Sequence, residues 1–180
     1  CKWVNDDPLY QQYHDNEWGV PEYDDRMLFE MINLEGAQAG LSWYVILKKR
    51  ETYRIAFDGF DPEIISTYDE NKKEELLQNP GIVRNKQKIN AVITNAHAYL
   101  HLQKETSFSA FLWSFVGGNP VYTNGSVLPD MVETSEKMSK ELKKRGFKFV
   151  GPTICYAFMQ ACGMIIDHEP GCFKHKKDAK

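Results

Sequence analysis

The sequence has no apolar run of about 18 residues, which is roughly what a membrane-crossing helix needs, and no hydrophobic signal-peptide core near its start. These two absences predict a cytoplasmic protein with no membrane partner. Cysteine is scarce, with four among 180 residues. Cys155 and Cys162 fall on one predicted helix, separated by about two turns or 10 Å of rise, too far for a disulfide. They read as small core residues. Cys1 and Cys172 stand near opposite ends of the chain, so no disulfide framework is expected. Excess charge of one sign is lacking too. Twenty-two basic and 25 acidic residues leave a net charge of −3, so overall charge does not by itself draw the chain to nucleic acid. Internal repeats are absent, and the alternation that marks strands is rare.

Helix signals, by contrast, are abundant. Asp7-Pro8 is a cap followed by proline at the first helical position. Asp24 opens a second helix with Met27, Leu28, Met31, Ile32 and Glu35 at amphipathic spacing. A third is expected from about Trp43 through Tyr53, and shorter ones start at Asp61-Pro62 and at Asp69. Residues 86–103 place Ile89, Val92, Ile93, Ala96 and Leu100 on one face. Further helices are predicted over 108–115, 135–145 and 152–162, with Gly146 and Gly163 as terminators. Residues 117–129 read as a turn-rich loop, and the basic tail over 174–180 as disordered. The fold class is all-α, with residues 1–173 forming one domain or two tightly packed helical lobes.

Three places carry chemistry. The first is Glu35, on the apolar face of its helix, where a carboxylate is costly unless it is paired or bonded. It is followed by Gly36-Ala37-Gln38-Ala39-Gly40-Leu41-Ser42-Trp43. Small residues there permit close approach to the backbone, and Trp43 offers a flat face. A carboxylate beside an aromatic platform suits a flat, cationic ligand; a glutamate satisfied by an arginine or a helix N-terminus is the plainer alternative. The second is Asn79-Pro80-Gly81-Ile82-Val83-Arg84 between two predicted helices, followed by Lys86 and Lys88. Such a turn can aim backbone N–H groups at a phosphate, or be an ordinary helix–helix connection. The third is His168 and Cys172, spaced H-x3-C, to which Cys1 and His14 could add two ligands. Spacing leaves that pairing open. Basic groups recur at Lys48-Lys49-Arg50, at Lys143-Lys144-Arg145 with Lys148, and at Lys174, Lys176 and Lys177.

The same places carry a resemblance. Asp7-Pro8-Leu9-Tyr10, Tyr13-His14-Asp15-Asn16-Glu17-Trp18-Gly19-Val20-Pro21, Leu34-Glu35-Gly36, Ala39-Gly40-Leu41-Ser42-Trp43 and Lys48-Lys49-Arg50 resemble the 3-methyladenine DNA glycosylase I family of the helix-hairpin-helix glycosylase group. So do Arg145-Gly146-Phe147-Lys148-Phe149-Val150-Gly151, Phe158-Met159-Gln160-Ala161-Cys162-Gly163 and the segment from Asp167-His168 to Cys172.

The resemblance implies a helix-hairpin-helix glycosylase-like helical domain with a structural zinc, held by Cys1, His14, His168 and Cys172, joining the terminal segments. It implies a pocket for a flipped 3-methyladenine. Glu35 and Tyr13 would hydrogen-bond the base and Trp43 would stack on it, with Trp3 and Trp18 nearby and Glu35 the catalytic carboxylate. Leu41 would fill the vacated stack, with Gly40 before it permitting a tight protruding turn, and Gly81, Val83, Arg84 and Lys86 would touch the DNA backbone. The partner would be double-stranded DNA with alkylated bases, bound by a monomer. Two departures stand out. Val83 occupies the place of a second hairpin glycine, and Asn85 that of the Schiff-base lysine of bifunctional relatives, so hydrolysis without lyase activity is expected. The catalytic aspartate of the wider group has no evident replacement. A DNA- or modified-base-binding module without catalysis, and a zinc-clipped helical interaction domain, are the rival readings.

Overall fold

Aspartate caps set the first helices where the sequence places them. The computed structural model describes residues 1–123 and 125–175. Asp7 accepts from the Leu9 N–H at 2.8 Å and opens α1 (Pro8–Asn16); Asp24 accepts from Met27 at 2.9 Å and opens α2 (Asp25–Gln38). α3 follows over Trp43–Ala56. Asp61 and Asp69 cap α4 (Pro62–Ile65) and α5 (Glu70–Gln78) in the same way. Asn85 caps α6 (Lys86–Leu102), and Ser107 caps α7 (Phe108–Trp113). Each such bond satisfies an amide left over by helix geometry and is worth about 1 kcal/mol. The last helices are α8 (Pro129–Lys144) and α9 (Pro152–Ala161).

Two expectations need correction. Helix α8 starts at Pro129, not near Ser135. Its cap residue is Leu128, which has no polar side chain to announce a start, and the fixed φ of Pro129 does that work instead. The 117–129 loop holds a short strand, β1 (Val121–Tyr122), paired in parallel with β2 (Ile165–Ile166). Two residues are too few to show alternation, so this pairing has no local signature. Of the basic tail, Lys174 and His175 are described, and residues 176–180 lie outside the described residues.

Helix α2 is central and packs on α3, α6, α7 and α9. The core around it is rich in aromatics: Phe29, Phe57, Phe60, Phe108, Phe147 and Phe158 are fully buried. Each contributes roughly 1.5–3 kcal/mol of burial. Cys155 and Cys162 are free, buried core residues, as the sequence suggests. None of the helices among the described residues is long and apolar enough to cross a membrane.

The chain ends are drawn to one side. The Glu22 N–H donates to the Cys162 carbonyl at 3.0 Å, at the end of α9. A Cβ on Gly163 would stand 2.5 Å from the Val20 backbone, so only glycine lets these two segments meet. Behind them, β2 carries the C-terminal segment back to α1.

Candidate active site and metal cluster

Glu35 lies in the last turns of α2, 5% exposed, and among the described residues it has neither an ion pair nor a hydrogen bond. Burial alone pushes its carboxyl up to about 8. It lines a cavity of about 310 Å³ together with Tyr13, Trp43, Trp3, Trp18 and Gln38. The expectation that these residues converge is met for all five named from the sequence. The plainer alternative, a glutamate satisfied by an arginine, fails for Glu35. It describes Glu30 instead, which takes a bidentate pair from Arg54.

Three elements build the cavity. Helix α1 brings Tyr13, which is 4% exposed, and burial beside the Glu35 carboxyl holds its phenol well above the usual range. Helix α3 brings Trp43, whose ring centroid is 5.4 Å from that of Tyr13 and whose indole N–H is buried without a partner. Arg50, two turns along α3, reaches both carboxylate oxygens of Glu17 just past α1, one at 2.9 Å, and so fixes the two aromatic residues relative to each other. A smaller cavity of about 140 Å³ lies against Tyr13, Glu35 and Trp43 as well and is reached by Glu17 and Arg50.

The small residues after Glu35 serve a different purpose from the one expected. What comes close to Gly36 is Phe149 of the same chain: a Cβ there would meet Phe149 at 3.1 Å. The Ala37 and Ala39 carbonyls accept from the Lys88 ammonium at 2.8 and 2.6 Å. Lys88 therefore caps the C-terminal end of α2, and burial draws its pKa down. It is not a free cation beside the turn, as its sequence neighbourhood suggested. Sequence reasoning missed this cap because the contact spans about fifty residues. Gly40 adopts φ +78° with open space around it, and Leu41 beyond it is 38% exposed.

The turn between α5 and α6 is tied to α3. The Gly81 N–H donates to the Asn79 side chain at 2.8 Å, and the Val83 N–H to the Tyr53 hydroxyl at 3.1 Å. The Lys49 ammonium donates to the Pro80 carbonyl at 3.0 Å, and the Thr52 hydroxyl donates to that of Gly81. The Gly81 and Val83 amides are thus engaged within the chain, while the side chains of Arg84 and Lys86 are exposed.

Cys1, His14, His168 and Cys172 come together, with ligand atoms all within 4.8 Å of one another. Cys1 Sγ lies 3.6 Å and Cys172 Sγ 3.7 Å from His168 Nδ1, and Cys172 Sγ lies 3.5 Å from His14 Nε2. His14 Nδ1 faces Asp15 Oδ1 at 2.7 Å, the outer contact that fixes a ligand imidazole. This group could hold a metal ion that joins the two ends of the chain. It shares a wall with the cavity. Trp3 packs on His14 and Trp18, and Trp18 packs on His168, with centroids 4.9–5.4 Å apart.

Comparison with known proteins agrees with this geometry. The family model described as methyladenine glycosylase matches residues 3–175. DNA-3-methyladenine glycosylase 1 of Escherichia coli (strain K12) is 54% identical over 176 residues, 96% of this chain and 94% of that protein. A crystal structure of 3-methyladenine DNA glycosylase I superposes with a TM-score of 0.93 at 57% identity, covering 98% of this chain and 99% of the other. The Staphylococcus aureus 3-methyladenine DNA glycosylase I, in a structure concerned with 3-methyladenine recognition, superposes at 0.89 with 37% identity, covering 98% and 96%.

Proposed function

This chain belongs to the 3-methyladenine DNA glycosylase I family, and we infer that its cavity receives a 3-methyladenine everted from alkylated DNA and releases it by hydrolysis of the N-glycosidic bond. The observation that carries this reading is the Glu35 carboxyl, unpaired among the described residues, beside Tyr13 and Trp43 in one cavity with room for a purine base. A base inside a stacked duplex is out of reach, so the nucleotide must swing out. Methylation at N3 makes the purine a cation, loosens its stacking and weakens its bond to the sugar. Glu35 supplies the negative charge and an acceptor, Tyr13 a hydroxyl, and Trp43 a stacking face, with Trp3 and Trp18 closing the wall.

Hydrolysis proceeds without lyase chemistry. Among the described residues no lysine lines the cavity, and Asn85 spends its side chain capping α6. A Schiff base has no amine from which to form.

We read α5, the 79–85 turn and α6 as the helix-hairpin-helix element. Gly81 and Val83, their amides already bonded within the chain, shape the turn, while Arg84 and Lys86 supply the positive charge that meets a phosphate. Gly40 lets Leu41 protrude as the wedge that fills the vacated stack. The enzyme works as a cytoplasmic monomer on double-stranded DNA, with residues 1–173 as one domain of two packed helical lobes.

The metal we assign is one zinc ion, structural in role. The donor set is two thiolates and two imidazoles, and a tetrahedral zinc with such ligands sets S···N edges of about 3.6 Å. The separations of 3.5–3.7 Å fit that figure. Four protein ligands leave no open position for substrate, so zinc stabilises the join between the chain ends.

Two measurements test the assignment. Glu35→Gln should lower kcat/KM for release of free 3-methyladenine from methylated duplex DNA, identified by chromatography, by at least about tenfold, or roughly 1.4 kcal/mol. Unchanged release would remove Glu35 from the reaction, and no release by the wild type would leave only a binding module. Elemental analysis should find about one zinc per chain, and its chelation should lower the melting temperature. A metal-free protein of full stability would refute the site.

A further inference from the structure

Glu35 faces the base, yet bond breaking moves positive charge away from it. When the C1′–N9 bond breaks, its electron pair passes to the purine and cancels the cation there. The sugar becomes the electron-poor partner, a water oxygen bonds to C1′, and the proton that water sheds goes to solvent. A carboxylate in the buried part of the lining holds the substrate more strongly than the transition state. Acceleration calls for a second anion near the sugar.

The cavity has one. Asp167 follows β2 and lines the same cavity as Glu35. Its Oδ1 accepts from the Thr123 hydroxyl and its Oδ2 from the Gln160 amide at 2.7 Å. Thr123 is buried just after β1, where its N–H reaches the Ile166 carbonyl at 3.2 Å, and Gln160 sits in the last turn of α9. Three elements thus aim one carboxylate. Both donors are neutral, and among the described residues no lysine, arginine or histidine forms an ion pair with Asp167, so its charge is oriented and not cancelled. Depth places it suitably. Glu35 and Tyr13 are the buried part of the lining, whereas Asp167 is half-buried and so closer to solvent. A base resting against the buried part keeps its sugar toward solvent, since the sugar stays tethered to the strand outside.

We propose that Asp167 is a second functional carboxylate, held by Thr123 and Gln160 to stabilise the positive charge that develops on the deoxyribose. The proposal rests on the reading of the cavity as a base pocket. It also supplies an aspartate where the sequence offered no candidate, by way of a strand pairing that no local pattern announces.

The test uses full-length, zinc-loaded protein and Asp167→Asn. Three quantities are read: single-turnover excision from methylated duplex, affinity for free 3-methyladenine, and affinity for two duplexes. One duplex carries a neutral tetrahydrofuran at the lesion site, the other a cationic pyrrolidine. The wild type should prefer the pyrrolidine duplex by at least about fivefold. Asp167→Asn should lose that preference and excise at least about tenfold more slowly, with zinc content and free-base affinity unchanged. Asp167→Glu, which keeps the charge, should recover part of the preference.

An unchanged excision rate in Asp167→Asn overturns the proposal, as does a slower variant that still prefers the cation. Should Asp167→Asn not fold, the wild type still decides: equal affinity for the two duplexes refutes a carboxylate at the sugar. Failure of the wild type to bind free 3-methyladenine would instead sink the base-pocket reading and leave the duplex comparison to judge Asp167 alone.

Discussion

Two glutamates on the molecule's central helix are buried to the same degree, and they live in opposite circumstances. Glu30 and Glu35 are each 5% exposed on α2. Glu30 receives two nitrogens of Arg54, with contacts of 2.7–3.0 Å. Glu35 receives nothing from the other described residues and faces a cavity. A buried carboxylate whose lone pairs are filled from within is part of the scaffold. One left unfilled is held ready for a visitor. Burial fraction alone does not separate the two; the partner does.

The sharpest way to break this comparison is to neutralise each glutamate's circumstance and read stability. Between the usual carboxylate value of 4.5 and about 8, folded Glu35 keeps its proton while the unfolded chain releases it. Stability is therefore lost as pH rises through that window, up to roughly 4–5 kcal/mol. Glu35→Gln should remove the loss, so its gain over wild type in urea unfolding should be several kcal/mol at pH 8.5 and small at pH 5. An equal difference at both pH values would mean that Glu35 is ionised and satisfied within the folded chain.

Next in size is the reverse experiment. Arg54→Met leaves Glu30 buried without its partner and should cost about 2–3 kcal/mol, discounted from the fully buried case because Arg54 is partly exposed. A neutral outcome would show that the ion pair holds nothing in place.

The smallest expected effect concerns rate. A cationic base needs Glu35 ionised, so kcat/KM for excision should rise with pH and level off above about 8. Well below that value it should fall about tenfold per unit. Glu35→Gln should flatten this limb, and a limb that persisted in the variant would belong to another group.

Much of this arrangement was legible in the sequence because it is written locally. Asp7, Asp24, Asp61 and Asp69 cap helices that begin within a residue of them, and the spacing of Met31, Ile32 and Glu35 puts a carboxylate among apolar neighbours. The resemblance drew Tyr13 and Trp43 together, and likewise the four candidate metal ligands, and the geometry places each set side by side. What stayed hidden depends on contacts between distant segments. Lys88 looks like a basic residue beside a turn until the fold turns it onto the end of α2. Thr123 and Asp167 meet only because β1 pairs with β2. The start of α8 was missed for a local reason, since a leucine in the cap position gives no polar signal.

The lack of a counter-ion at Glu35 has a consequence for the undamaged genome. Ordinary adenines vastly outnumber methylated ones, and each has nearly the same outline. Shape is a weak sieve against them, because one methyl group distinguishes little. An unmodified adenine, however, arrives uncharged, still firmly paired and stacked, and gives a deeply buried acid no reason to ionise. On the role proposed for Glu35, the enzyme would sample healthy DNA and let it go, because the site would become complementary only when the incoming ring brings its own positive charge.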